Sequence, residues 1–188
     1  MKKDTKHTAL LVMDYQTRIV GMIEDHTKLI KNIKKALAYA HSASIPVVYV
    51  AVQFRPDFPE VSPNNKSFSM IKQNMAAFAE PKAMDIYPEI KPQKDDIVVI
   101  KRRVSAFTGS DLEVVLRSQG VTHLVLGGIA TSGVVLSTVR EAADKDYQLT
   151  VLSDCCADSD EEVHNVLTSK VFPRQADVIS VDEWTAKK

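Results

Sequence analysis

The sequence predicts a three-layer α/β/α domain in which helices cover both faces of a parallel sheet of about six strands. Two observations support this fold class. Short and almost wholly apolar segments recur along the chain, as in strands that are buried on both faces. Amphipathic segments with a helical period separate them, and parallel strands need such crossover connections. The pattern is typical of an open, Rossmann-like α/β sheet.

Six segments are predicted as strands because each is short, apolar and bounded by polar or turn residues. They are residues 8–13, 46–53, 97–101, 122–127, 148–153 and 177–180. The first crossover is predicted as a helix over residues 26–43, because Leu29, Ile33 and Leu37 form one apolar stripe. It ends before Pro46, since proline pushes the preceding residue out of helical geometry.

Two later helices are predicted from capping boxes, in which a serine and a glutamate three residues apart satisfy the first backbone N–H groups. Ser110 and Glu113 form one such pattern, and that helix is expected to end near Gly120. Ser159 and Glu162 form the other pattern. These boxes indicate where helices begin and carry no functional information.

Residues 54–96 interrupt the alternation with a proline-rich loop, a short predicted helix over residues 68–78 and a second irregular stretch. This insertion follows the second strand, and ligands of open α/β sheets bind outside the carboxyl ends of the strands. We therefore expect it to form a wall or lid of a pocket. Because the chain has 188 residues, is 45% hydrophobic and shows no linker, residues 1–188 are expected to form a single domain.

Composition excludes several classes of partner. The chain has 24 Lys and Arg residues and 24 Asp and Glu residues, with no basic cluster that would indicate nucleic acid or an anionic membrane. No apolar run approaches the roughly 20 residues that span a bilayer, and the polar segment 1–6 lacks the core of a signal peptide. Cys155 and Cys156 are adjacent, which excludes a disulfide framework. We therefore expect a cytoplasmic protein with no nucleic-acid or membrane partner.

The first candidates for chemistry are Asp14 and Lys101, which stand at the ends of two apolar strands. Because parallel strands end at the same edge of a sheet, the two side chains are expected to converge on one site. Asp14 could act there as a general acid or base, and Lys101 could hold it ionised or bind negative charge. From position alone, Asp14 could equally cap a turn, and Lys101 could extend its ammonium group into solvent.

A third feature is the run of residues 124–136, which is typical of a buried strand, a small-residue turn and the start of a helix. Such a turn aims backbone N–H groups at one point, which suits a nucleophile or a developing oxyanion. The turn reads Gly-Ile-Ala-Thr-Ser-Gly-Val over residues 128–134, and Lys101 is followed by Ser-Ala-Phe over residues 105–107. Together with Asp14, these motifs resemble the isochorismatase-like cysteine hydrolases.

The resemblance implies an isochorismatase-like hydrolase fold and a catalytic site. It assigns the acidic residue of the family to Asp14 and the lysine to Lys101, and it places Val134 where the family carries its catalytic cysteine. Valine has no nucleophilic or ionisable atom, so thioester chemistry is excluded at that position. The resemblance also implies a cis peptide bond between Ile129 and Ala130, and assembly into a homo-oligomer, as a dimer or higher.

The substrate is expected to contact the turn and the loops that face it. The expected contacts are Gln16, Phe54, Arg55, Ser105, Phe107, Ile129, Ala130, Thr131 and Ser132. Arg55 and the neighbouring aromatic residues suit an anionic or planar substrate, because guanidinium pairs with carboxylate and rings stack on rings. The alternative for Arg55 is a loop residue in solvent above hydrophobic anchors.

No metal or other cofactor is expected. Metal-dependent relatives in the family place an aspartate and several histidines just after the second strand. Here Asp57 follows that strand, but the next histidine along the chain is His123. The remaining histidines are far apart and lack the spacing of metal ligands.

Three hypotheses for function follow. The first is a small-molecule hydrolase that uses Asp14 and Lys101 without a cysteine, in the way that isochorismate hydrolases of the family protonate and cleave a vinyl ether. A nearby lysine lowers the pKa of an acid, so burial must compensate. The second is a catalytically silent relative that binds a metabolite or a protein partner. The third is an amidase or esterase with Ser132 as the nucleophile.

Overall fold

The structure is a computed structural model that describes residues 5–73 and 84–186. Its strands are β1 (Thr8–Met13), β2 (Val47–Val52), β3 (Ile97–Lys101), β4 (His123–Ile129), β5 (Gln148–Ala157) and β6 (Asp177–Ile179). They form one parallel sheet in the order β3-β2-β1-β4-β5-β6. The predicted parallel sheet of about six strands is confirmed.

Helices cover both faces of this sheet. They are α1 (Thr17–Val20), α2 (Thr27–Ser42), α3 (Lys66–Gln73), α4 (Leu112–Ser118), α5 (Leu136–Asp144), α6 (Glu161–Val166) and α7 (Val181–Ala186). One apolar core joins the sheet to α2 and α7, and a second joins it to α4, α5 and α6. The predicted three-layer arrangement is therefore confirmed. Within the described ranges, no helix is both long and apolar enough to cross a membrane.

The alternation of side chains along β1 explains why its sequence is uniformly apolar. Leu10 and Val12 point into the core beside α2, whereas Leu11 and Met13 point into the core beside α5. Every residue of β1 is buried. A strand covered on both faces loses the polar positions that a half-exposed strand would keep.

The strand order reverses between β1 and β4. The chain runs outward from β1 through β2 to β3, then returns to place β4 on the other side of β1. Met13 pairs with Gly128 across this junction, and Val52 pairs with Lys101 between β2 and β3. Such a reversal opens a crevice at the carboxyl ends of the strands, where α/β proteins bind ligands.

Strands β4 and β5 extend beyond their predicted ends at residues 127 and 153. Their pairing is interrupted after Leu126 and resumes with Gly128 opposite Cys156. A side chain on Gly127 would lie 3.0 Å from the Cys155 carbonyl oxygen, so glycine permits the close approach at this irregularity. Gly128, predicted as the first residue of the turn, therefore lies inside β4.

Neither predicted capping box forms. The N-cap of α4 is Asp111, and Glu113 forms an ion pair with Lys145 at 2.7 Å. The N-cap of α6 is Asp160, whose carboxylate accepts a hydrogen bond from the Val163 N–H at 3.2 Å. Both helices therefore begin two residues after the predicted serine. Asp160 replaces Ser159 as the cap of α6, whereas Asp111 makes no capping hydrogen bond and the Ser110 hydroxyl accepts from the Leu112 N–H at 3.2 Å.

The insertion packs on the loop that follows β3. The Glu60 carboxylate accepts a hydrogen bond from Arg55 Nη1 at 2.6 Å and pairs with Arg102 Nε at 3.3 Å. Helix α3 begins at Lys66, before the predicted start at residue 68, and the predicted end at residue 78 lies outside the described residues. An isolated antiparallel bridge joins Gln16 to Ile86, where the insertion returns to the sheet edge.

Candidate active site

Asp14 and Lys101 form a buried ion pair at the carboxyl edge of the sheet. Asp14 directly follows β1, and Lys101 is the last residue of β3. Lys101 Nζ lies 2.9 Å from Asp14 Oδ2, and the two side chains are 2% and 9% exposed, respectively. The Asp14 N–H donates to the Val50 carbonyl at 2.8 Å, which holds the residue against β2. The convergence expected from parallel strands therefore occurs.

The Lys101 ammonium group is held by three acceptors. Besides Asp14, it donates to the carbonyl oxygens of Arg103 at 2.9 Å and Val104 at 3.1 Å. An ammonium group has three N–H donors, so these contacts engage all of them. They leave the ammonium group no further N–H donor for a substrate anion.

Burial sets the protonation of Asp14. It raises the pKa of Asp14 from its ordinary value of 3.8 to about 6, and the charge and hydrogen bond of Lys101 oppose this rise only in part. Among the described residues, no hydrogen-bond partner reaches Asp14 Oδ1. Asp14 therefore has one oxygen held by Lys101 and a second oxygen that is buried without a partner in the described part of the chain.

The turn after β4 lies beside Asp14. The peptide bond between Ile129 and Ala130 is cis, as predicted, and one π-helical turn over Thr131–Val135 leads into α5. Val134 in this turn is buried. A Cβ atom on Gly128 would lie 3.1 Å from Met13 Cβ, so only glycine lets the turn approach the end of β1 this closely.

Two side chains that follow β5 hold the same turn. Thr131 is fully buried, and its Oγ1 lies 2.8 Å from His164 Nδ1. Ser132 is exposed, and its N–H donates to Asp158 Oδ2 at 2.7 Å. No motif in the sequence marks His164 or Asp158 as site residues. Both residues follow β5, and this position was the only sign in the sequence that they could reach the turn. It indicates a contact with the turn only when β5 is known to pair with β4.

Gln16 connects backbone segments through both of its N–H donors and its side-chain oxygen. Its Nε2 donates to the carbonyl oxygens of Val52 at 3.0 Å and Met84 at 2.6 Å. Its Oε1 accepts from the Val52 N–H at 2.9 Å. Gln16 therefore has a structural role at the sheet edge, because three backbone groups use its side-chain amide.

The residues of the predicted anion clamp are arranged differently from expectation. The Arg55 side chain is 64% exposed and pairs with Glu60, so its charge is already balanced within the loop. Phe54 stacks on Phe58 with ring centroids 5.3 Å apart and meets Phe68 edge-on at the same separation. The aromatic residues form a cluster, whereas Arg55 matches the alternative of a solvent-facing loop residue.

Ser105 and Phe107 lie on the α5 side of the loop after β3. Ser105 lines an open cleft of about 710 Å³, and its Oγ accepts from the Phe107 N–H at 3.2 Å. Phe107 is buried, with its ring centroid 5.8 Å from that of Tyr147. Phe107 is therefore a core residue here, contrary to the expected role in lining the substrate pocket.

An apolar cavity of about 400 Å³ opens at the carboxyl edge of β1 and β2. Its apolar side chains come from α1, the turn that follows α1 and the insertion, and they are Ile19, Met22, Phe54, Phe58, Ile71 and Met84. Arg18 contributes a cationic group to the same wall. Val52 also lines the cavity, and it pairs with Lys101 between β2 and β3. The cavity and the ion pair are therefore neighbours.

Residues 5–73 and 84–186 contain no group of three or more His, Cys, Asp or Glu side chains arranged to hold a metal ion. Both cysteines are free and buried. Burial raises the pKa of Cys156 to about 12 and that of Cys155 well above its ordinary value. Neither thiol is a reactive thiolate at neutral pH.

Comparison with known proteins supports the assignment to a family. A sequence profile for the isochorismatase domain matches residues 8–183. The chain is 31% identical over 191 residues to the isochorismatase family protein YecD of Escherichia coli O157:H7, with 97% of each chain covered. It is 32% identical over 184 residues to the ureidoacrylate amidohydrolase RutB of Acinetobacter baylyi, covering 80% of this chain and 71% of that protein.

A solved structure shows the same fold. A cysteine hydrolase from Pseudomonas syringae pv. phaseolicola matches with a TM-score of 0.89, covering 100% of this chain and 94% of that chain. The two sequences are 22% identical, so this likeness concerns the fold alone. Together with the profile and the relatives that span nearly the whole chain, it shows that the chain belongs to the isochorismatase family of hydrolases.

Proposed function

We propose that this protein hydrolyses a small molecule by proton transfer from Asp14, without a covalent intermediate on the chain. The observation that carries the proposal is the buried pair of Asp14 and Lys101, in which burial raises the pKa of Asp14 to about 6. A carboxyl group with this pKa changes protonation close to neutral pH, as a general acid or base must. Burial thus outweighs the lysine, which removes the main objection to Asp14 as an acid.

The substrate class that fits an acid without a nucleophile is a carboxylated vinyl ether such as isochorismate. In the proposed reaction, the Asp14 proton adds to the terminal alkene carbon, and the electrons of the double bond form the new C–H bond. Water then adds to the resulting oxocarbenium carbon and returns a proton to the Asp14 carboxylate. The hemiketal breaks its C–O bond and releases an alcohol and a ketone.

Lys101 acts through Asp14 in this scheme. Its three donors are engaged by Asp14 and two backbone carbonyls, so it fixes the carboxylate at Oδ2 and leaves Oδ1 for the substrate. When Asp14 has lost its proton, the ammonium group stabilises the carboxylate. Lys101 is therefore a positioning residue for the acid.

The apolar cavity beside Val52 supplies room for the part of the substrate that does not react. A volume of about 400 Å³ is within the usual range for small-molecule sites. Its aromatic and aliphatic walls favour a ring or hydrocarbon group, and Arg18 lies where an anionic group of the substrate could pair with it.

Val134 supports a mechanism without acyl transfer to the protein. By resemblance it occupies the position of the family's cysteine, and its side chain offers no attacking atom. The relative RutB is named an ureidoacrylate amidohydrolase, so amides and ureides form the second substrate class to examine. With such substrates, ionised Asp14 would act as the base that activates water.

A substrate screen tests the proposal. Carboxylated vinyl ethers, amides, ureides and esters are incubated with the wild type and with Asp14→Ala, Asp14→Asn and Lys101→Ala. We expect turnover of at least one class, lost in all three variants. Lys34→Ala is the matched control, because Lys34 forms an exposed ion pair with Glu89 at 3.1 Å. This control should keep full activity.

The same screen decides against the catalytically silent alternative. Turnover that depends on Asp14 and Lys101 would exclude a protein that only binds a metabolite or a partner. The absence of turnover with every class would overturn the proposed hydrolysis and favour the silent alternative.

The Ser132 alternative has its own test. His164 contacts the Thr131 hydroxyl, so the imidazole nearest to the turn serves a different residue from the suggested nucleophile. We expect Ser132→Ala to retain turnover. Intact-mass spectrometry during turnover should show the unmodified chain, and an acyl adduct that disappears in Ser132→Ala would establish serine chemistry instead.

A further inference from the structure

The turn beside Asp14 is fixed from outside by two side chains that follow β5, one in the segment before α6 and one in α6 itself. His164 contacts the Thr131 hydroxyl at 2.8 Å, and Asp158 accepts the Ser132 N–H at 2.7 Å. Both contacts join residues that are far apart in sequence. They meet because β5 pairs with β4, so the segments that leave these strands lie side by side.

The hydrogen bond between the Thr131 hydroxyl and His164 cannot readily be replaced by a hydrogen bond to water. Thr131 is fully buried, so its hydroxyl cannot exchange His164 for bulk water without moving the turn. A buried hydroxyl without a partner costs free energy, and the turn would have to rearrange to recover a hydrogen bond. The residues of this turn extend directly from Gly128, which touches Met13 next to Asp14. A shift of the turn would therefore change the wall of the site.

His164 is held in turn by its surroundings. Its ring is half-buried at the edge of a cleft of about 840 Å³, where Asp158 and Glu161 also lie. Burial lowers the pKa of His164, and the charges of these two carboxylates oppose the change. Neutral imidazole offers one donor and one acceptor nitrogen, and the Thr131 hydroxyl can satisfy either of them at Nδ1.

We propose that His164 is a positioning residue of the active site, which fixes the turn of residues 129–135 beside Asp14 through the Thr131 hydroxyl. His164 itself lies behind the turn and does not take part in proton transfer to the substrate. The identity of the site rests on the function proposed above, whereas the link between His164 and the turn stands on the structure of the chain alone.

The chain contains a matched control for this contact. His123, the first residue of β4, lies 3.1 Å from Thr8 Oγ1 through Nδ1 and 2.9 Å from Thr150 Oγ1 through Nε2. These contacts have the same chemistry at the amino edge of the sheet, opposite the site. Loss of His123 should lower stability without reaching the turn.

The experiment is a double-mutant cycle with Thr131→Val, His164→Ala and the two changes combined, read by backbone amide NMR and by chemical unfolding. We expect both single changes to shift the same amides in residues 129–135, and the second change to add little to the first. His164→Asn should restore the wild-type shifts, because its side-chain amide can reach the position of Nδ1. His123→Ala should leave these amides unchanged.

Turnover supplies the second measurement once a substrate is found. Loss of the contact should lower kcat about tenfold, as expected when one hydrogen bond no longer orients the site, with a smaller change in KM. Additive effects in the cycle, failure of His164→Asn to restore the shifts, or equal effects of His123→Ala would each overturn the proposal. If the wild type shows no turnover, the hydrolytic function fails, and the NMR cycle still decides the role of His164.

Discussion

Lys101 Nζ lies 2.9 Å from Asp14 Oδ2 although β2 separates the strands that carry the two residues. The pair crosses the end of β2, where Val52 pairs with Lys101 and is hydrogen-bonded to the Gln16 side chain. Two nearly buried charges are thereby compensated at the edge where parallel α/β sheets bind ligands. The stability and the chemistry of the site therefore depend on the same contact.

Removing the ammonium group should destabilise the fold. Lys101→Met leaves the Asp14 carboxylate and two backbone carbonyls without their donor, and we expect a loss of about 3 kcal/mol in the free energy of unfolding at pH 7. Lys34→Met removes an exposed ion pair and should cost less than about 1 kcal/mol. Urea unfolding of both variants measures the difference. Equal losses would show that the buried pair contributes no more than a surface pair.

The pKa of Asp14 predicts how its contribution to stability depends on pH. The folded value of about 6 lies above the ordinary value of 3.8, so the folded state binds the proton more tightly. The contribution is therefore complete at low pH and declines as pH rises from about 4 to about 6. The unfolding free energy of the wild type, minus that of Asp14→Asn, should fall by about 2 kcal/mol between pH 4.5 and 7. A difference that rises with pH would contradict the raised pKa.

The pH dependence of the reaction should distinguish acid from base. If protonated Asp14 is the acid, kcat/KM is level below a pH of about 6 and falls about tenfold per unit above it. For a substrate class that needs ionised Asp14 as the base, kcat/KM instead rises about tenfold per pH unit up to a pH of about 6 and is level above it. Rate profiles for a vinyl ether and an amide test both cases. A profile without an inflection between pH 5 and 7 would exclude Asp14 from proton transfer.

Gly128 should be intolerant of a side chain, whereas Gly133 in the same turn should accept one. A Cβ atom on Gly128 would lie 3.0 Å from Val135 Cγ2 and 3.2 Å from the Met13 carbonyl oxygen. We expect Gly128→Ala to cost about 2 kcal/mol. The nearest contact of a Cβ atom on Gly133 is Ala130 Cβ at 3.8 Å, so Gly133→Ala should change stability by less than about 1 kcal/mol. Thermal unfolding of the two variants measures the difference. A larger loss of stability in Gly133→Ala than in Gly128→Ala would contradict this packing.

The structural role of Gln16 can be separated from substrate binding. Gln16→Leu removes hydrogen bonds to the Val52 N–H, the Val52 carbonyl and the Met84 carbonyl, and we expect a loss of about 3 kcal/mol. Hydrogen exchange at the Val52 amide should accelerate. Arg55→Ala, which removes an exposed ion pair, should leave exchange at Val52 unchanged. A variant that keeps its stability but loses ligand affinity would return Gln16 to the substrate site.

The local pattern of the sequence predicted the strands well and the helix starts less well. Burial on both faces makes each strand uniformly apolar, and this property can be read without knowing the neighbouring strands. The capping box before α6 failed because Asp160 caps the helix in place of Ser159. The box before α4 failed because the Glu113 carboxylate pairs with Lys145. Gly128 was predicted in the turn after the strand, whereas it lies inside β4, where Gly127 and Gly128 allow β5 and β1 to approach closely.

Within the site, position at the carboxyl ends of strands was sufficient to bring Asp14 and Lys101 together. It was insufficient for side chains whose role depends on a specific partner. Gln16 lies two residues after Asp14 in the sequence, but its side chain is hydrogen-bonded to the backbone of Val52. Phe107 follows Lys101 in the same motif, but its ring packs on Tyr147. The partner of each of these side chains depends on the direction in which it points from its loop, and tertiary packing sets the geometry of the loop.

The sequence by itself determined the layers of this protein, the strands and the edge of the sheet that carries its polar residues, because apolar periodicity is a local property of the chain. Only the tertiary structure decided which partners those polar residues have. The raised pKa of Asp14 and the hold of His164 on Thr131 arise from burial and from contacts between distant segments. Burial and distant contacts exist only after the strands have taken their order in the sheet.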